Sequence, residues 1–158
     1  MTTMNTTHPQ ALRRALLTAL ILSPIGALAQ TATTVEVWKT PDCGCCKDWV
    51  KYLRSNGFRV VAHDVSDTSS FRRRNGIPDE YGSCHSALVE EYALEGHVPA
   101  KEIKRLLRER PVAVGLTVPS MPLGSPGMDG PEYEGRKFPY DVFLIARGGK
   151  ASVYQTYR

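Results

Sequence analysis

No apolar run in this chain is long enough to cross a membrane. The stretch Ala15 to Leu22 ends at Ser23-Pro24, whereas a bilayer core demands ~20 consecutive apolar residues. Internal repeats are missing, which excludes a solenoid. Cysteine is scarce, 4 in 158 residues, and none lies near residue 29, which excludes a lipoprotein anchor there. A strong excess of one charge is missing too, with 20 basic against 16 acidic residues. That balance argues against nucleic acid as a partner, and the one basic run, Arg72-Arg73-Arg74, reads as a solvated helix face. Heptads and long apolar stripes are absent, so nothing demands an oligomer and a monomer is expected.

What stands at the start is a secretory signal peptide over residues 1–29. Arg13 and Arg14 precede the apolar run, and Ala27-Leu28-Ala29 supplies small residues for cleavage after Ala29. The residues around the Arg pair match a twin-Arg signal poorly, so ordinary export is expected. His8 leaves with the signal. The exported chain then carries no membrane span. It also keeps all four cysteines.

In an oxidising compartment an even cysteine count suggests structural disulfides. The spacing here points elsewhere. Cys43, Cys45 and Cys46 fall within four residues, and a bridge between such neighbours closes so short a loop that it removes little unfolded-state entropy. The three thiols together with Cys84 read as one site.

The periodicity places these residues on a fold. Val35 to Lys39 alternates and reads as a strand. Thr40 to Cys46 turns into a helix whose apolar face is Cys46, Trp49, Val50 and Leu53, ended by Asn56-Gly57. Phe58 to Val65 is nearly continuous in apolar residues and is expected to be a central strand. A short helix from Ser69 to Asn75 follows, then strands Ser86–Glu90 and Tyr92–Gly96. Pro99 opens a helix striped by Ala100, Ile103, Leu106 and Leu107, and Pro111 stops it. The order β-α-β, short helix, β-β-α predicts an α/β, thioredoxin-like mixed sheet flanked by helices over residues 34–110. Residues 111–158 form a C-terminal extension: an apolar stretch, a Gly- and Pro-rich loop from Pro119 to Pro139, and a hairpin from Asp141 to Tyr157. A loop of this length is usually functional or disordered.

Cys43 and Cys46 make a CxxC pair at a helix N-terminus, where free N–H groups and the dipole favour thiolate over the free thiol value of ~8.5. Disulfide exchange is one reading. Cys45, inside the motif, is superfluous for a two-electron couple but useful for holding soft metal ions. Cys84 precedes the third strand, where thioredoxin-like folds carry a proline facing the CxxC, so the topology brings it to the other three. Thiolates and thioethers select Cu(I), with zinc second. Met121 and Met128 in the loop are further candidate ligands that tilt the choice to copper, as is His85, although strand alternation turns it away. His97 reads as a capping or packing residue and His63 as a strand residue.

Pro41-Asp42-Cys43-Gly44-Cys45-Cys46, Ser83-Cys84-His85, Glu95-Gly96-His97-Val98-Pro99-Ala100 and the run Gly115 to Met128 resemble the CopG copper-resistance family, recognised by its CxCC motif. The likeness extends over the chain from about Val35 onwards. It implies a periplasmic protein of Gram-negative bacteria, often encoded beside copper-efflux genes, with a thioredoxin-like domain and an extension that helps bind metal. It further implies copper ions bridged by Cys43, Cys45, Cys46 and Cys84, a multinuclear cluster with a redox role between Cu(I) and Cu(II). Asp129 stands where the family pattern leads us to expect Glu. The alternatives are a thioredoxin-type thiol–disulfide oxidoreductase using Cys43 and Cys46, and a copper or zinc store without turnover.

Overall fold

Val35 and Val37 are buried and Glu36 between them is exposed, the alternation that commits Thr34–Lys39 to a strand, β1. The computed structural model describes residues 1–2 and 32–158. The apolar run of the signal peptide, the cleavage point after Ala29 and His8 lie outside the described residues. No helix among the described residues is long and apolar enough to cross a membrane.

After β1 the chain forms α1 (Gly44–Ser55), β2 (Arg59–Asp64), α2 (Ser69–Arg74), β3 (His85–Val89), β4 (Tyr92–Glu95), α3 (Ala100–Glu109), β5 (Gly115–Thr117), β6 (Tyr140–Ile145) and β7 (Ala151–Tyr157). Cys46, Trp49, Val50 and Leu53 are the buried face of α1, as their spacing predicts. Gly57 ends α1 by taking φ 88, and Phe58 N–H then reaches the Leu53 carbonyl, a Schellman-type closure.

The strands form one seven-stranded mixed sheet in the order β2-β1-β3-β4-β5-β6-β7. β1 and β2 are parallel, while β3 runs antiparallel to both β1 and β4. A parallel half and an antiparallel half therefore share one sheet, as the element order indicates. The extension adds β5, β6 and β7 to that same sheet.

α1 and α3 pack on one face. Trp49, Leu53, Ile103 and Leu106 join Val35, Val37, Ala87, Leu94, Leu116 and Val142 in a single core. The opposite face holds a smaller cluster around Ile77, Ala93 and Ile145, and Phe71 of α2 stacks on Trp38 at 3.9 Å.

Two expectations need correction. β2 is an edge strand, not a central one; only Val60 of its residues is buried, and the apolar run reflected packing of one side plus Phe58. Arg72 is not part of a solvated face. Its side chain is 12% exposed and pairs with Asp79 and with the buried Glu95, while Arg73 remains exposed.

Candidate metal centre

The sheet register explains why distant cysteines meet. Lys39, the last residue of β1, pairs with His85, the first of β3. The two strands are antiparallel, so the end of β1 and the start of β3 share one rim of the sheet. The CxCC turn leaves from β1 and Cys84 arrives at β3, which brings residues 38 positions apart together.

The sulfurs of Cys43, Cys45, Cys46 and Cys84 all lie within 4.8 Å of one another. Cys43 is the N-cap of α1 and is joined to Cys46 by a disulfide; Cys45 and Cys84 are free. Cys45 Sγ stands 3.6 Å from Cys43 Sγ, and Cys46 Sγ lies 3.7 Å from the Cys84 carbonyl oxygen. Cys46 is fully buried, whereas the other three keep partial access to solvent.

The environment of Cys84 opposes its ionisation. Burial, reinforced by Cys45, pushes its thiol up to about 12, so the free protein holds Cys84 as S–H. A metal that binds its sulfur displaces that proton.

Two histidines close the pocket from the strand side. His85 Nδ1 is 3.4 Å and His97 Nε2 is 3.1 Å from Cys84 Sγ. Both rings are fully buried, and burial lowers the proton affinity of each, most strongly for His85 beside His97. The expectation that alternation turns His85 away fails, because it is the first residue of β3, where the rim lets its ring swing towards Cys84 and pack 4.3 Å from Trp49. His97 is packed in the interior, as its reading as a packing residue expects, and it also stands against the Cys84 sulfur. Ser86 pairs with Glu95, and extending that register by two residues sets His97 opposite Cys84; the hairpin was the signal that could have found it.

The loop after β5 completes the pocket. His97 Nδ1 lies 2.8 Å from the Pro126 carbonyl, and Gly127 is pressed against the Cys45 carbonyl and the Trp49 amide of α1. Met128 is 9% exposed and its sulfur accepts a hydrogen bond from Tyr133 Oη. Met121 is 47% exposed.

Behind Cys84 sits a carboxylate that sequence reasoning missed. Glu95 is fully buried and accepts hydrogen bonds from the Ser83 amide at 2.8 Å, the Ser86 hydroxyl at 2.5 Å and Arg72 at 3.3 Å. Ser83 in turn donates to the Ser120 carbonyl, linking the Cys84 turn to the loop. Burial raises the Glu95 carboxyl above its ordinary value of 4.5, against the pull of its donors. A carboxyl with a folded pKa above its unfolded one binds a proton more tightly in the folded chain. Its contribution to stability is therefore lost as pH rises from 4.5 through the elevated value. The difference in urea midpoint between wild type and Glu95→Gln is expected to shift in favour of the Gln variant as pH climbs through that window. A difference that does not vary with pH would show that Glu95 titrates normally.

A family model described as "Protein of unknown function, DUF411" matches residues 81–128, the segment that carries Cys84, His85, His97 and both loop methionines. The chain is similar to two solved structures. One, "Copper resistance protein copG- Form 2", is 43% identical with a TM-score of 0.74, the match covering 80% of this chain and 99% of that one. The other, "Copper resistance protein copG- Form 1", is 44% identical with a TM-score of 0.73, covering 80% and 98% respectively. No curated protein sequence matches the chain.

Proposed function

The chain belongs to the CopG copper-resistance family, and from that premise we propose that it is a periplasmic copper-binding redox protein that holds copper ions in a cysteine-bridged cluster. The observation that carries this reading is the convergence of four sulfurs within 4.8 Å. The donor set suits copper: clustered thiolates are soft ligands that favour Cu(I) over harder cations. Cys43, Cys45, Cys46 and Cys84 are the proposed ligands, with Met121, Met128 and His85 as additional candidates.

Full use of the four sulfurs requires the Cys43–Cys46 bridge to be opened. In this reading an external dithiol supplies the two electrons and two protons of that step and leaves as its own disulfide, so the site's metal capacity depends on the thiol redox state. Copper ions held by Cys43, Cys45, Cys46 and Cys84 with shared sulfurs would exchange electrons with an external one-electron partner with little movement of the ligands, and interconversion of Cu(I) and Cu(II) is the activity proposed on that basis. Export by the signal over residues 1–29 sets the protein in the periplasm, where copper-efflux components are the proposed partners and the monomer is the working form. Zinc is the lesser alternative occupant.

One observation favours the thioredoxin-type reading, namely the Cys43–Cys46 disulfide itself, with the partly exposed Cys43 as the attacking sulfur and the buried Cys46 as the resolving one. The test is direct. The full chain, expressed with its signal and exported under copper load, is expected to carry more than one copper per molecule with charge-transfer absorbance in the visible. Less than one copper per chain, together with full dithiol reductase activity on a model disulfide, overturns the copper reading in favour of thiol–disulfide exchange.

A further inference from the structure

Two tyrosines of β7 hydrogen-bond to glutamates of α3. Tyr154 Oη donates to Glu109 Oε2 at 3.1 Å, and Tyr157 Oη donates to Glu102 Oε1 at 2.9 Å. Donor and acceptor are of the same type in both pairs, but the surroundings differ. Glu109 is 42% exposed and already binds Arg105, whose guanidinium also lies 4.0 Å from the centre of the Tyr154 ring. A cation held on a ring face opposes the removal of an electron from that ring. Tyr154 is therefore a surface latch.

Glu102 is the opposite case, 1% exposed. Its Oε2 has no hydrogen-bond partner among the described residues, with the Arg105 guanidinium 3.9 Å away. The Tyr157 ring lies face to face with another phenol instead of a cation. It is stacked on Tyr140, with centroids 4.8 Å apart and planes 4° from parallel. Tyr140 opens β6, where the loop after β5 rejoins the sheet, and pairs with Tyr157 in the ladder. A cavity of about 190 Å³, lined in part by Lys137, Phe138, Tyr140 and Tyr157, gives small solutes access to the stack.

Neither phenol of the stack ionises at neutral pH. Burial, then the Glu102 hydrogen bond and charge, raises the Tyr157 hydroxyl well above its ordinary 10.0, and burial pushes Tyr140 up to about 12. Loss of an electron changes this. A phenol radical cation is a strong acid, and a carboxylate already at hydrogen-bond distance takes its proton as a positioned base. Tyr157 has such a carboxylate, and the stacked Tyr140 ring spreads the electron deficiency as the electron leaves.

We propose that Tyr157 is a redox-active tyrosine, with Glu102 as the base that takes its proton and Tyr140 as its stacked partner. A strong one-electron oxidant removes one electron, the phenol O–H bond breaks and the proton bonds to Glu102 Oε1. A neutral phenoxyl radical and a neutral carboxylic acid result. A one-electron reductant of the ascorbate class, reaching the stack through the cavity, then returns the electron and loses its own proton to solvent. Glu102 gives the first proton back to Tyr157, and the pair is restored. The site thus holds an oxidising equivalent away from the cysteine sulfurs. It does not rest on the copper reading.

Flash oxidation of the full, metal-free chain by photogenerated tris(bipyridine)ruthenium(III) tests this. The free thiols of Cys45 and Cys84 are first capped by alkylation so that they do not compete, and ring-deuterated tyrosine identifies the radical by EPR. Wild type is expected to give a tyrosyl signal that is lost in Tyr157→Phe and kept in Tyr154→Phe. Glu102→Gln keeps an acceptor oxygen but no base, and is expected to form the radical at least about a hundredfold more slowly, the scale of a positioned base. In wild type, which does not depend on any variant folding, formation is expected to slow in deuterated water, and ascorbate is expected to remove the signal and leave Tyr157 unmodified. No tyrosyl signal in wild type, or one that survives in Tyr157→Phe, overturns the proposal. Formation equally fast in Glu102→Gln and in deuterated water overturns it as well, because the proton then goes elsewhere. Either failure leaves copper loading of the wild-type chain, and with it the copper reading, untouched.

Discussion

Cys84→Ser is expected to yield a folded protein that loads at least about tenfold less copper than wild type, since even the loss of a group one shell beyond the ligands costs about 10–100-fold in metal affinity. Cys43, Cys45 and Cys46 come from a single turn and the start of α1, so they share one side of the pocket. Cys84 is the sulfur that arrives from β3 and lets ions be bridged rather than hung from a helix end. Serine has nearly the same shape, but its hydroxyl is a hard, weak ligand for Cu(I). The fold has little to lose, because the new hydroxyl inherits the donor position beside His97 Nε2, 3.1 Å from the present sulfur; a buried hydroxyl is destabilising chiefly when it is left without a partner. Copper per chain by elemental analysis, read beside thermal unfolding, separates the two effects. Loading unchanged from wild type would make Cys84 an accessory residue and return the site to Cys43 and Cys46.

That prediction draws on something the sequence made legible, and the reason is topological. Strand alternation in β1 and the helical spacing of Cys46, Trp49, Val50 and Leu53 are local signals, and they locate the CxCC turn at one rim of the sheet. Once β3 is taken as antiparallel to β1, Cys84 has to start from that same rim. His97 needed one more step, the register of the β3–β4 hairpin, and without it a histidine at a strand–helix junction resembles any cap. Glu95 and Arg72 were harder. An alternating Tyr-Ala-Leu-Glu strand suggests an outward carboxylate, and a run of three arginines suggests a solvated face. Their pairing across the space between α2 and β4 satisfies both charges at once, which no local pattern reports. The apolar run of β2 misled for a related reason: hydrophobicity records burial of side chains, whereas a strand is central or at the edge according to which backbones pair with it. The loop between β5 and β6 stood out in the sequence by its length, but its course over α1 depends on contacts of single residues such as Gly127.

Gly127→Val is expected to release that loop and with it much of the retained copper. Gly127 adopts φ 84, a conformation that a β-branched side chain takes only with strain of about 1–3 kcal/mol. The strain is joined by a collision. A Cβ at this position would stand 2.7 Å from the Trp49 amide nitrogen and 2.8 Å from the Cys45 carbonyl oxygen. Both are backbone atoms of the first turns of α1, and Trp49 is locked in the core with its indole donating to the Val98 carbonyl. The helix cannot retreat, so the loop must lift. Pro126, the preceding residue, then withdraws its carbonyl from His97, and Met128 loses its buried place. Gly135 in the same loop supplies the control. It has a similar φ of 71, yet a Cβ there meets nothing within 4 Å, so Gly135→Val carries the backbone strain without the collision. Both variants are expected to lower Tm, at roughly 2–4 °C per kcal/mol for a chain of this size. Gly127→Val alone is expected to pass copper to an external chelator at least about tenfold faster and to expose the 119–139 segment to protease. Equal release from the two variants would mean that the loop need only be present, not seated on α1, for the metal to be held.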